Sequence, residues 1–134
     1  MKYAALFALC PLCLAQMAGA SGLTHLPQLA SVAPEAIAIS PHVPHMGTHY
    51  AMPGDLPTGP IYCVIEGHVV CVEYMFAASA LAEGVSWTGL LPGVETPPIT
   101  HVDLEFKPDG VGPMQEPIYQ LHIYFADSDV LAMH

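Results

Sequence analysis

Ile61-Tyr62-Cys63-Val64-Ile65-Glu66-Gly67-His68-Val69-Val70-Cys71-Val72-Glu73-Tyr74 is the stretch whose reading decides the fold. Two runs of β-branched and aromatic residues flank Glu66-Gly67-His68, the pattern of a β-hairpin. A turn centred on Gly67 pairs Ile65 with Val69, Cys63 with Cys71 and Ile61 with Glu73. Directly opposed β-carbons in a non-hydrogen-bonded pair come close enough for a disulfide. A turn longer or shorter by one residue would undo that pairing, and two buried free thiols are the alternative. Strand alternation sets Glu73 on the Cys71 face, inside an otherwise apolar run from Val69 to Phe76. A carboxylate there needs a partner, because burying it unpaired is costly.

The rest of the chain offers few partners. Its 134 residues hold two Lys or Arg, twelve Asp or Glu and eight His, for a formal net charge of −10. Residues 1–20 read as a signal peptide: Met1-Lys2, an apolar run from Tyr3 to Ala15, then Ala18-Gly19-Ala20 as a small-residue cleavage site. The run is short for a bilayer span and is interrupted by Pro11. Cys10 and Cys13 lack the small flanking residues of a lipoprotein cleavage box. The expectation is a secreted or periplasmic protein with no membrane attachment after cleavage. Cleavage removes Lys2 and leaves Lys107 as the sole Lys or Arg, so a salt bridge to Glu73 is hard to supply. A metal, a histidine or a backbone turn remains. The acidity repels nucleic acid and anionic lipid surfaces and attracts cations, metal ions included; the blander account is that it keeps a secreted protein soluble. In an oxidising compartment a Cys63–Cys71 disulfide is the default.

A second stretch, Pro41 to Met52, holds His42, His45 and His49 with Met46 and Met52 and no charged side chain. Imidazole and thioether groups are ligands for copper and zinc. His45 and His49 stand at i and i+4, which share a face on a helix or on a strand; Gly47 argues against the helix. A lone His-x₃-His is more often structural than a metal site. Upstream, residues 21–40 read as an Ala/Pro-rich arm, with a short helix over Ala33–Ile39 and Pro34 in its first turn. Residues 51–60 are loop.

Met75 to Glu83 has helical propensity and ends at Gly84 as a C-cap. Two alternating strands follow an irregular connection anchored by Trp87 and Leu90. Ile99–Phe106 puts Val102, Leu104 and Phe106 opposite His101, Asp103 and Glu105. Ile118–Phe125 puts Leu121, Ile123 and Phe125 opposite Gln120, His122 and Tyr124. If these strands pair, His101 and His122 share the more polar face; a solvated outer face is the alternative. Asp127-Ser128-Asp129 would cap a last helical turn. The fold expected is mainly β, a small antiparallel barrel or sandwich with one short helix, over a single domain from 41 to 134.

Met46-Gly47-Thr48-His49-Tyr50, Glu73-Tyr74-Met75 and Pro117-Ile118-Tyr119-Gln120-Leu121-His122-Ile123-Tyr124 together resemble a family of small secreted bacterial domains of unknown function. That family carries Met-Gly-x-His-aromatic, Glu-Tyr-Met and Pro-His-x-Asp-x-His-aromatic-Tyr elements. The resemblance covers about residues 41–126 and implies a barrel-like domain with His and Glu gathered at one site. The matching positions are His49, Glu73 and His122, with His45 as a local extra. The late motif departs from the pattern, with Ile118 at its first histidine and Gln120 at its aspartate. Pro108-Asp109-Gly110-Val111 stands where a Pro-x-Gly-His turn is expected.

Three functions follow. The first is a metal-binding protein with copper or zinc on His45, His49, Glu73 and His122, and Met46 or His101 as extra ligands. Three protein ligands with an open position suit zinc, and Met46 would tilt the site toward copper. The second is a non-catalytic, homo-oligomeric interaction module built on exposed β edges. The third is a cupin-like metalloenzyme. No nucleophile elbow, phosphate loop or dinucleotide fingerprint is present, and Asp103 and Glu105 are simple strand alternation, so the sequence favours a non-catalytic role.

Overall fold

The computed structural model of the protein describes residues 22–91 and 95–134. The expected signal peptide lies outside the described residues. Six strands form one antiparallel sheet: β1 (Ile37–Val43), β2 (Gly47–Ala51), β3 (Ile61–Ile65), β4 (His68–Ala77), β5 (His101–Lys107) and β6 (Ile118–Tyr124). Their order is β1-β2-β3-β4-β6-β5, so β1 and β5 are edges and the sheet does not close. The mainly β, antiparallel expectation holds. Helices α1 (Leu29–Val32), α2 (Ala78–Ala82) and α3 (Ser128–Leu131) are short; α2 lies inside the Met75–Glu83 stretch and α3 is the expected last helical turn. No helix among the described residues is long and apolar enough to cross a membrane.

β4 is the centre of the sheet and is buried along nearly its whole length. That two-sided burial explains the apolar residues on both sides of Glu73 in its sequence. The hairpin with β3 reaches its register by a different route from the one expected. The turn is two residues, Glu66 and Gly67, both at positive φ (50° and 82°), which matches the twist of a tight hairpin. Ile65 therefore opposes His68, and Val64 opposes Val69. A bulge then takes up Val70 and restores Cys63 opposite Cys71 and Ile61 opposite Glu73. The Cys63–Cys71 disulfide is formed, with Cα atoms 5.0 Å apart.

The segment expected to be a free arm is part of the domain. Leu23 and Leu26 are buried in the larger core cluster with Tyr62, Val72, Tyr74 and Phe125. The amide of Leu29 donates to the Gly67 carbonyl, and that of Val69 to the Pro27 carbonyl, each at 2.9 Å. The helix expected over Ala33–Ile39 does not form; α1 lies earlier, and the β-branched Ile37, Ile39 and Val43 enter β1. Pro41 is tolerated because β1 is an edge strand, with a register irregularity between Ala38 and His42.

Ladder partners share a face. One cross-strand row therefore reads His49, Cys63, Cys71, Tyr124, His101, and the next reads Ala51, Ile61, Glu73, His122, Asp103. Two rows of one face thus hold His49, Glu73, His122 and His101. The opposite face carries the larger core, including Trp87 packed on Phe76 with ring centroids 4.5 Å apart.

Candidate metal centre

Glu73 on β4 is flanked by His122 on β6, its direct ladder partner, and by His49 on β2, one row away across β3. Gly47 seats the start of β2. Its φ is +75°, and a β-carbon there would run into the Val64 carbonyl of β3, so only glycine lets the two backbones approach this closely. His49, Glu73 and His122 are the group among the described residues able to hold a metal ion, their donor atoms all within 4.8 Å of one another. All three are buried, at 7%, 3% and 1% exposure.

The hydrogen bonds fix which atoms face inward. The Ser40 hydroxyl donates to the Pro41 carbonyl at 2.7 Å, so its proton is committed. Ser40 Oγ must then accept at 3.1 Å from His49 Nδ1–H, which leaves the lone pair of His49 on Nε2. That Nε2 stands 3.3 Å from Glu73 Oε2. His122 Nδ1 faces the carboxylate of Glu105 at 3.5 Å, and a carboxylate favours a proton on that nitrogen. With the proton on Nδ1, His122 Nε2 presents its lone pair to Glu73 Oε2, 3.7 Å away. Neither ring nitrogen of His122 makes a hydrogen bond within the protein. Gln120 Nε2 donates to Glu73 Oε1 at 2.6 Å and leaves Oε2 as the free oxygen. In that state three acceptor atoms converge in a buried place, an arrangement that repels itself unless a cation sits among them.

Burial pushes the Glu73 carboxyl up, but His122, His49 and the Gln120 hydrogen bond together outweigh it and hold the carboxyl below its ordinary value. Burial holds the His49 imidazole below its ordinary value, against the opposing pull of Glu73. Tyr124, one row from Glu73, is pushed up to about 12 by burial and by the charges of Asp103, Glu105 and Glu73.

The other expected ligands fall elsewhere. His45 lies in the β1–β2 turn, exposed, with Nδ1 on the Leu131 carbonyl at 3.2 Å. The i, i+4 argument fails because β2 begins only at Gly47, so His45 and His49 are not on one strand. Met46, in the same turn, packs on the larger core cluster and is outside the triad. His101 is on the correct face but stacks on Tyr124, with centroids 4.2 Å apart, one row from His122. Ser40, Glu105 and Gln120 were not foreseen as site residues. Gln120, read as a lost carboxylate, instead orients Glu73.

No family model matches the chain, and no curated protein matches it. Among solved structures it is similar to the crystal structure of hypothetical protein TTHB210 from Thermus thermophilus. The two are 26% identical, with a TM-score of 0.54, over 68% of this chain and 87% of that one. The likeness supports a shared architecture; the description of that protein names no activity.

Proposed function

We propose that this protein is an extracytoplasmic metal-binding protein whose divalent ion, zinc or copper, is held by His49 Nε2, His122 Nε2 and Glu73 Oε2. The observation that carries the reading is the convergence of three acceptor atoms, each with its second polar atom engaged or faced by a partner. Metal-bound histidines ordinarily hand their other nitrogen to such a partner, and here Ser40 and Glu105 stand in those places. Two of the three ligand spacings suit the ion as well, and the third lies within 4.8 Å. Ligands at ordinary zinc distances in a tetrahedral site stand about 3.3 Å apart, against 3.3 and 3.7 Å from Glu73 Oε2 to the two imidazoles. The donor set is two nitrogens and one oxygen without thiolate or thioether, which favours zinc or copper(II) over copper(I).

Elemental analysis of the purified protein after loading with zinc or copper tests the reading. One ion per chain, lost in His122→Ala, supports it; no uptake of either metal rejects it.

A second reading, a homo-oligomeric interaction module, is favoured by one feature. On the edge strand β5, Val102, Leu104 and Phe106 are 52%, 60% and 51% exposed. An apolar row on an unpaired edge is a surface for a partner strand or face. A multimer that survives chelation in light scattering supports it, and a monomer at every concentration removes it.

A further inference from the structure

His45 and His101 lie outside the triad but line one cleft of about 270 Å³, with Tyr124, Ser128, Leu131 and Ala132. Both imidazoles have a fixed tautomer. The Leu131 carbonyl can only accept, so His45 Nδ1 carries the proton it donates at 3.2 Å. Thr100 Oγ1 donates to the Ala126 carbonyl at 2.9 Å, so at 3.1 Å it accepts from His101 Nδ1–H. Each ring therefore keeps its lone pair on Nε2, and that nitrogen has no protein partner among the described residues. His45 is also held in an unusual backbone state. It occupies the third position of a Val43-Pro44-His45-Met46 turn closed by Met46 N–H on the Val43 carbonyl at 3.1 Å. Its φ is 66°, where this turn type ordinarily takes glycine. The stack on Tyr124 holds His101 in turn. The chain's net charge of −10 disfavours an anion at a pair of neutral imidazoles and favours a cation.

We propose that the Nε2 atoms of His45 and His101 form a second, solvent-facing position for an imidazole-preferring divalent ion, copper(II) above all. Its remaining coordination is completed by water within the cleft. The triad ion is enclosed, whereas this one exchanges with solvent and binds more weakly. The two positions share no ligand, and Tyr124 stands between them, its ring stacked on His101 and 5.8 Å from that of His122.

Calorimetric titration of the metal-free protein with copper(II) tests the proposal. The variant pair is His45→Asn with His101→Phe, because asparagine tolerates the left-handed backbone and phenylalanine keeps the stack on Tyr124. Circular dichroism checks that the fold is kept. The expected result is two equivalents in the wild type, one tight and one weak. The weak one is lost in the pair variant, and the tight one is lost in His122→Ala. Equal counts in the wild type and the pair variant overturn the proposal. A single equivalent lost only in His122→Ala also overturns it and leaves the triad reading intact. A single equivalent lost only in the pair variant supports this position and removes the triad reading.

Discussion

Replacing His122 with leucine separates a metal ligand from a structural histidine, because the two roles predict different dependence on metal. Leucine has about the volume of the imidazole, so the packing loss at this 1%-exposed site is small. In chelator, the substitution removes two ring nitrogens that have no hydrogen bond in the protein. An unsatisfied buried polar group costs about 1–3 kcal/mol. Against that relief stands the loss of a polar neighbour 3.7 Å from Glu73, a cost of similar size. The two nearly cancel, and the metal-free variant is expected within about 2 kcal/mol of the wild type. With free zinc at a hundred times its dissociation constant, the wild type gains about 2.7 kcal/mol, whereas a site with two ligands left gains little. The gap between the proteins should therefore widen by about 2.5 kcal/mol on loading, or about 10 °C in melting temperature for a domain of this size. Urea unfolding of both proteins in chelator and in zinc measures it. An identical gap in the two conditions would show that His122 serves packing alone.

Acid should destabilise the metal-free fold in two stages. His49 and Glu73 both have lowered folded-state values, so their contributions are present above their ordinary values of 6.5 and 4.5 and are lost as the pH falls through the lower folded ones; stability that rises on acidification from pH 7 to 4 contradicts this. The Tyr124 phenol, raised to about 12, should stay protonated through pH 10, and stability tied to it should fall only as the pH climbs from 10 toward 12. An ultraviolet titration of the wild type against Tyr124→Phe that shows this phenol ionising near 10 refutes the burial argument. Glu105→Gln should weaken zinc binding about 10- to 100-fold without changing the stoichiometry; unchanged affinity would mean the 3.5 Å approach to His122 is incidental. Replacing Cys63 and Cys71 together with serine opens a loop of sequence separation 8 and should cost about 2.5 kcal/mol in urea unfolding, a loss near zero meaning that the hairpin already orders that loop when unfolded.

What the sequence disclosed depended on the range of the interaction. The hairpin was legible because β4 is buried on both sides and declares itself by apolar residues on both sides of Glu73. Its bulge was not, since the offset between a two-residue turn and the Cys63–Cys71 pairing leaves no mark in composition. Residues 21–40 read as an arm because the burial of Leu23, Leu26 and Ala33 comes from contacts with the Gly67 turn and with strands far along the chain, not from any local period. The scarcity of basic residues, two Lys or Arg in the chain, showed only that Glu73 needed a metal, a histidine or a backbone turn; the set His49, Glu73 and His122 came from the family resemblance. His45 misled because spacing rules apply within one element, and the element boundary fell at Gly47. On β5 the pattern read faithfully but the faces differ from a simple core rule, with the polar row leading into the site and the apolar row left exposed.

The choice between a proton and a metal ion at the triad turns on how many lone pairs each can satisfy. One proton on His49 or on His122 makes a single ion pair with Glu73 and leaves the other Nε2 aimed at the same oxygen, buried and unpaired, at the cost of an unmade hydrogen bond. Two protons satisfy both contacts but place two positive rings beside one carboxylate in a buried place, and desolvation at His49 already opposes charging that ring. Turning an imidazole to present an N–H instead would break the bond His49 makes to Ser40 or would set a lone pair against Glu105. A divalent ion needs none of these compromises, because it takes all three lone pairs at once and leaves the Nδ1 atoms facing Ser40 and Glu105. Under the proposed reading, the groups behind the triad suit a ligand that accepts electron pairs in three directions, which a proton does not.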